Sequence, residues 1–186
     1  MILRIFIILF GLMAGEAAHA RDRDRGLYFG GGLTRAIATM KAGSQEAGFG
    51  GWGAIGLIGI DLPVRTIPMF AEGEYGRVDL LNTLQSTSYM ERASNTFLGL
   101  KVGAIFGPVS MGGGVQHNQI EVTSVEGGTG TQASHQGMTY FGFAQLSFNG
   151  TEAFRTVFEA KYGVGPIAGT DSSETQLSLR FVFLPF

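Results

Sequence analysis

The chain has no cysteine in its 186 residues, so neither a disulfide framework nor a thiolate metal site is open to it. Beyond its first twenty residues it also lacks the 18 or so consecutive apolar residues of a membrane-spanning helix. Positive charge is scarce: the formal net charge is −2, which argues against the basic face a nucleic-acid partner requires. Glycine is abundant, with thirty residues, yet it follows no G-X-Y period, which excludes a collagen-like rod. The glycines cluster inside apolar alternating segments, as at Gly30–Gly32 and Gly112–Gly114, where a tightly curved sheet has room only for small inward groups.

The N-terminus reads as a signal peptide over residues 1–20. Arg4 supplies a positive start, Ile5 to Ala14 a short apolar stretch, and Ala18-His19-Ala20 a small-x-small cleavage site. That leaves residues 21–186 as a single exported domain. With no helix to cross a bilayer, such a domain enters a membrane only as a closed barrel.

Period-2 alternation marks eight strands, near 26–37, 48–61, 67–80, 94–106, 109–122, 137–149, 154–165 and 174–186. Tight turns follow the second, fourth and sixth: Asp61-Leu-Pro63 on to Pro68, Phe106-Gly-Pro-Val109, and Asn149-Gly-Thr-Glu152. Longer polar stretches follow the others, at 38–47, 81–93, 123–136 and 165–173. An even strand count with short turns at one end and longer loops at the other is the asymmetry of an outer-membrane barrel. The expected fold is therefore an all-β, eight-stranded, antiparallel up-and-down transmembrane β-barrel, with the short turns in the periplasm. Asn149-Gly-Thr151 also fits a glycosylation pattern, but between two strands it reads as a hairpin turn.

The faces sort cleanly on most strands. Leu98, Leu100 and Val102 oppose Gly99, Lys101 and Gly103; Phe158, Ala160 and Tyr162 oppose Glu159, Lys161 and Gly163. A small barrel cannot fill its interior with so many large apolar side chains, so the apolar face is placed toward lipid. The second strand (Trp52, Ala54, Ile55, Leu57, Ile58, Ile60) is apolar on both faces, and Phe141 and Phe143 point inward on the sixth. Either the lumen is partly hydrophobic or the register slips there. On this parity the lumen holds Glu72, Glu74 and Glu159 against Lys101, Lys161 and Arg180. An eight-stranded interior is only wide enough for side chains to fill, and buried charges there must pair. A plug of ion pairs is expected, with a narrow passive pore as the alternative. The last strand puts Leu177, Leu179, Phe181 and Phe183 on one face and ends on Phe186, as a strand that closes a barrel would.

These residues resemble the eight-stranded opacity-type outer-membrane proteins, similar in architecture to the membrane domain of outer-membrane protein A. The likeness rests on Gly26-Leu-Tyr-Phe-Gly-Gly-Gly32, Glu74-Tyr75, Pro108-Val-Ser-Met-Gly-Gly-Gly114, Glu159-Ala-Lys-Tyr162 and Leu179-Arg-Phe-Val-Phe183. One departure is that Arg180 and Ser178 stand where that family places apolar residues, counting back from the final Phe. The resemblance implies a monomeric, non-enzymatic barrel of the Gram-negative outer membrane, with a structural or recognition role through the four loops. Outer-membrane lipid, lipopolysaccharide and the barrel assembly machinery are its implied partners, with a surface ligand at the loops and no cofactor.

Some similar barrels hydrolyse lipid A acyl chains with His and Ser at the outer rim. Here His117 is followed by Asn118-Gln119 rather than by a serine two places on, and Ser134-His135 falls in the third loop. A lipid A hydrolase built on His117 with Glu121 and Ser124 is the alternative activity. His117 and His135, eighteen residues apart, do not make a metal pattern. Arg21-Asp-Arg-Asp-Arg25 alternates charge and reads as a solvated leader.

Overall fold

The computed structural model describes residues 26–42, 45–62, 67–82, 92–126, 129–151, 153–167 and 170–184. The expected signal peptide, Phe186 and the centre of the 81–93 connection lie outside the described residues. Eight strands follow in order: β1 (Leu27–Ala42), β2 (Gln45–Leu62), β3 (Met69–Asn82), β4 (Arg92–Phe106), β5 (Val109–Glu126), β6 (Thr129–Thr151), β7 (Phe154–Ile167) and β8 (Thr170–Phe183). Each pairs antiparallel with the next, and β8 pairs with β1 to close an up-and-down barrel.

Following one row of paired residues around the wall gives the stagger of the barrel. The row starts at Phe29, passes through Ile58, Gly73, Leu100, Val115, Tyr140, Val164 and Ser173, and returns to β1 at Thr39. The shift of ten residues goes with strands inclined about 35–45° to the barrel axis. At that inclination about ten residues per strand cross an apolar band about 25 Å tall. The strands here are longer than that, and the excess lies at the end away from the tight turns.

That excess corrects the expected loops. Most of 38–47 and 165–173 is strand, with β1 running to Ala42 and β7 to Ile167. Most of the 123–136 stretch is strand: β5 continues to Glu126, β6 begins at Thr129, and the two stay in register up to Glu126 opposite Thr129. The physical reason is simple. Beyond the bilayer both faces of a strand are wet, so Thr, Ser, Gln and Gly serve on either side and the alternation signal vanishes while the hydrogen-bonded ladder continues.

At the opposite end the connections are short. Gly107 has φ 65°, the left-handed value that a side chain resists, and the next residue is Pro108. Positive φ followed by a proline-compatible φ is the II′ pattern of two-residue hairpins, and Phe106 pairs with Val109 across it. The β6–β7 connection departs slightly from expectation. The strand continues through Asn149 to Thr151, with a register shift between the two and Thr151 opposite Phe154.

Parity fixes what faces where. Glu72, Glu74, Lys101, Glu159, Lys161 and Arg180 are buried inside, whereas their chain neighbours Tyr75, Leu100, Val102, Phe158, Tyr162 and Phe181 are exposed outside. On β2, Ile55 and Leu57 are buried while Trp52, Ile58 and Ile60 are exposed. On β6, Phe141 and Phe143 are buried. No slip occurs in either strand, and the lumen is partly hydrophobic.

Allowing for the stagger, the outward side chains sort by height. Phe29, Phe106, Phe154, Phe181 and Phe183 ring the tight-turn end, with Phe29 stacked on Phe183 at 5.9 Å and Phe154 on Phe181 at 5.9 Å between ring centroids. Trp52, Tyr75, Tyr140 and Tyr162 ring the other edge of the apolar belt. Two aromatic girdles bounding an apolar band are the signature of a barrel wall in lipid.

Candidate functional site

The inward residues form tiers. At the tight-turn end a largely apolar floor gathers Tyr28, Leu57, Val157 and Val182, beside Phe70 and Ile105, with the Arg155 guanidinium 4.6 Å from the Tyr28 ring centroid. At the far end a second apolar cluster includes Phe49, Leu80, Ala93, Ile120 and Ile167. Between them lies the charged tier.

All six charged residues expected in the lumen meet there. Lys101 reaches Glu72 at 2.6 Å and Glu74 at 3.3 Å, and also contacts Glu159. Arg180 reaches Glu72 at 2.7 Å and Glu74 at 3.3 Å, and likewise contacts Glu159. Lys161 pairs with Glu74 and donates to Gln116 Oε1 at 2.9 Å. Glu74 thus touches all three cations. The side chains of the tier are between 0% and 4% exposed, so solvent does not screen these pairs. β3 supplies Glu72 and Glu74, β4 Lys101, β7 Glu159 and Lys161, and β8 Arg180, each at an inward parity position.

Sequence reasoning missed the groups that complete this tier. Gln145 Nε2 donates to Glu159 Oε2 at 2.8 Å, and the Tyr28 hydroxyl donates to Glu72 Oε2 at 3.3 Å. The inward phenylalanines are part of the same arrangement. Lys161 Nζ sits 4.6 Å from the Phe141 centroid and 5.2 Å from Phe97, and Lys101 Nζ sits 5.0 Å from Phe143. Ring faces are favourable neighbours for a desolvated ammonium. Glycines make room for the rings: a Cβ on Gly114 would lie 2.6 Å from Phe141 Cζ, and one on Gly103 would lie 2.8 Å from Phe143 Cζ.

Above the ion pairs lies a polar tier. Gln176 Nε2 donates to Glu174 Oε1 at 2.9 Å, Asn95 Nδ2 to Asn118 Oδ1 at 3.0 Å, and Asn118 Nδ2 to Thr139 Oγ1 at 3.0 Å. Glu174, a fourth buried carboxylate, was not expected in the lumen. The signal was present, since Glu174 shares parity with Gln176, Ser178 and Arg180, but it stands at the first residue of the strand as read from sequence.

The barrel-closing residues are placed together as well. Leu177, Leu179, Phe181 and Phe183 face outward along β8, whose partner across the seam is β1.

The residues considered for catalysis are not brought together. His117 is exposed on the outer face, opposite Leu98 on β4 and Met138 on β6. Ser124 lies seven residues along the same strand, which at about 3.3 Å per residue is about 23 Å away. His135 is exposed on β6 opposite Ile120, and successive residues Ser134 and His135 take opposite faces. Among the described residues no group of three or more His, Asp or Glu side chains is arranged to hold a metal ion.

The fold recurs in solved outer-membrane proteins. The attachment invasion locus protein Ail of Yersinia pestis superposes with TM-score 0.57 and 13% identity, over 84% of this chain and 98% of that one. A major outer membrane protein of Thermus thermophilus gives TM-score 0.58 and 12% identity, over 81% and 98%. Neisserial surface protein A gives TM-score 0.51 and 13% identity, over 87% and 99%. No protein-family model and no curated protein matches the sequence. The likeness is one of architecture, and it agrees with the inverted faces: by fold the chain is an eight-stranded β-barrel of the kind found in outer membranes.

Proposed function

We propose that this protein is a non-enzymatic integral barrel of a Gram-negative-type outer membrane, exported by a cleaved signal peptide and inserted as a monomer by the barrel assembly machinery. Its role is structural support of the membrane or recognition at the cell surface. The observation that carries this reading is the tiered lumen: largely apolar floor, ion pairs, polar network and apolar cap, all filled by side chains. Such an interior serves to hold the wall rigid.

Among the described residues, one surface element reaches farthest from the tight-turn end. Beyond Arg92 opposite Thr123, and beyond Gly137 opposite Ile167, the β5–β6 ribbon continues to Glu126 and Thr129. Its outer stretch, including Gln132, Ser134, His135 and Gln136, is exposed. Recognition on this ribbon fits the placement of function on elements held by a rigid scaffold.

The test has two stages. In the outer-membrane fraction, a band whose gel mobility changes on boiling is expected from a folded barrel; a soluble periplasmic protein with no shift would overturn the reading. Shortening the ribbon by removing 122–133, which leaves Glu121 and Ser134 as a two-residue turn between the paired Ile120 and His135, should then abolish any surface-binding phenotype while the heat-dependent shift persists. A planar-bilayer recording should show no steady conductance, and lipid A mass spectra should be unchanged by His117→Ala. A conducting lumen would favour a narrow pore, and altered acyl chains would favour a hydrolase.

A further inference from the structure

The outer wall carries positive charge in one sector at the upper aromatic girdle. Arg35 on β1 pairs across the strands with Trp52 on β2, and its guanidinium carbon lies 5.6 Å from the Trp52 ring centroid. Arg77 on β3 stands opposite Ala54, two residues along β2 from Trp52, and faces outward as well. Its Nε is 3.6 Å from Asp79 Oδ1, yet the Arg77 side chain remains 60% exposed. Trp52 is 64% exposed between them. Two guanidiniums and one carboxylate therefore flank an exposed indole at the edge of the apolar belt.

The rest of the wall differs. At the same height on β6 to β8 the outward residues are Met138, Tyr140, Tyr162, Val164 and Thr175, none of them charged. The tight-turn girdle is phenylalanine, with no outward charge among the described residues. At the level of this girdle, Arg35 and Arg77 are the outward cations among the described residues; Lys41 on β1 and Arg92 on β4 are exposed farther from the tight turns.

An arginine at that level meets lipid headgroups. Its planar fork binds phosphate through two parallel N–H donors, and stacking on an indole leaves the fork edge free. β1 and β3 are two strand spacings apart, about 10 Å. A zwitterionic phospholipid would satisfy one guanidinium and bring its own ammonium against the other. A headgroup with more than one phosphate on a sugar frame satisfies both.

We propose that Arg35 and Arg77, on either side of Trp52, form a docking site for the phosphorylated headgroup of an outer-leaflet glycolipid of the lipopolysaccharide type. The proposal rests on the reading above that the tight turns face the periplasm and the girdle of Trp52 faces outward.

Trp52 is the sole tryptophan of the chain, so its emission reports the site directly. The barrel spanning residues 21–186 is refolded into phosphatidylcholine vesicles containing bisphosphorylated lipid A, monophosphorylated lipid A or a phosphate-free glycolipid. A saturable emission change with bisphosphorylated lipid A is expected, weaker with one phosphate and absent with none. Arg35→Gln and Arg77→Gln should each weaken the apparent affinity about tenfold, as loss of a hydrogen bond to a charged group does. Thr175→Ala on the uncharged sector should leave it unchanged. Arg35→Lys and Arg77→Lys keep the charge but lose the fork, and should fall between; they serve if a glutamine variant does not refold. An equal response to the phosphate-free glycolipid, or an unchanged response in the double glutamine variant, would overturn the site. So would the same change produced by inorganic phosphate with phosphatidylcholine alone. Brominated acyl chains separate the two levels of failure. If they do not quench Trp52, the chain is not embedded and the membrane reading falls with the site; if they quench it and no phosphate response follows, the site alone falls.

Discussion

Neighbouring residues on one strand live in opposite worlds here. Glu74 is buried among three cations and Tyr75 beside it is exposed on the outer wall; the same holds for Lys101 and Leu100, and for Lys161 and Tyr162. In a water-soluble protein the charged member of each pair would face solvent. Here the outside is the low-dielectric phase, so the carboxylates and ammoniums gather within and neutralise one another. The lesson concerns cost: a charge removed inside and a charge added outside are the same kind of error, an ion left without a partner in a poorly polarisable medium.

The largest effect should come from breaking the inner side at its most connected carboxylate. Glu74→Ala leaves Lys101, Lys161 and Arg180 short of a counter-charge and should cost about 3–5 kcal/mol, read as a lower urea midpoint for unfolding from vesicles. Replacing Glu74 and Lys161 together, as Glu74→Leu with Lys161→Met, should recover much of that loss, because an apolar pair of similar volume needs no partners. The matching error outside is Leu100→Arg in the middle of the apolar belt, where the residue is 64% exposed. It should cost about 2–4 kcal/mol by the same measurement. If Leu100→Arg proves harmless while Glu74→Ala is severe, the wall does not face lipid and the comparison breaks.

Packing between the two environments sets a smaller scale. Gly114→Ala drives a methyl into the Leu100 carbonyl oxygen of β4 and against the ring of Phe141, which sits under Lys161, so the strand itself must shift. The expected loss is about 1–3 kcal/mol, the usual cost of overpacking. At the bottom of the scale, His117→Ala on the exposed face should change unfolding by less than about 0.5 kcal/mol. A larger loss would mean that this histidine does more for the wall than its neighbours Leu98 and Met138 suggest.

Much of this was legible in the sequence because a thin wall between two phases imposes a strict parity. Once Leu100 is outward, Lys101 must be inward, and so the six lumen charges follow from the pattern without knowledge of their contacts. Three things escaped that logic. The β5–β6 ribbon was hidden because Thr129–Gln136 has no lipid-facing side to mark its alternation. Phe141 and Phe143 looked misplaced because an apolar ring facing the lumen makes sense only when the ammonium above it is known. Glu174 was missed because it lies where the alternation begins, and strand ends are the least certain part of any pattern. None of these depends on chemistry absent from the chain; each depends on which residues meet across the barrel.

The seam between β1 and β8 carries a consequence for the role of the last strand. Thr34 bonds to Ser178 across it, 144 residues away in sequence, so the barrel is closed only where β8 pairs with β1. That strand also carries Arg180, whereas the two lysines of the charged tier come from β4 and β7. Without β8, Glu72, Glu74 and Glu159 would have only those two lysines as counter-charges. The final strand therefore closes the hydrogen-bond ladder at the edge and adds the third cation to the three-carboxylate tier in one step. A sheet left open at that seam would expose unpaired strand edges and leave three carboxylates with two cations, both costly in hydrocarbon.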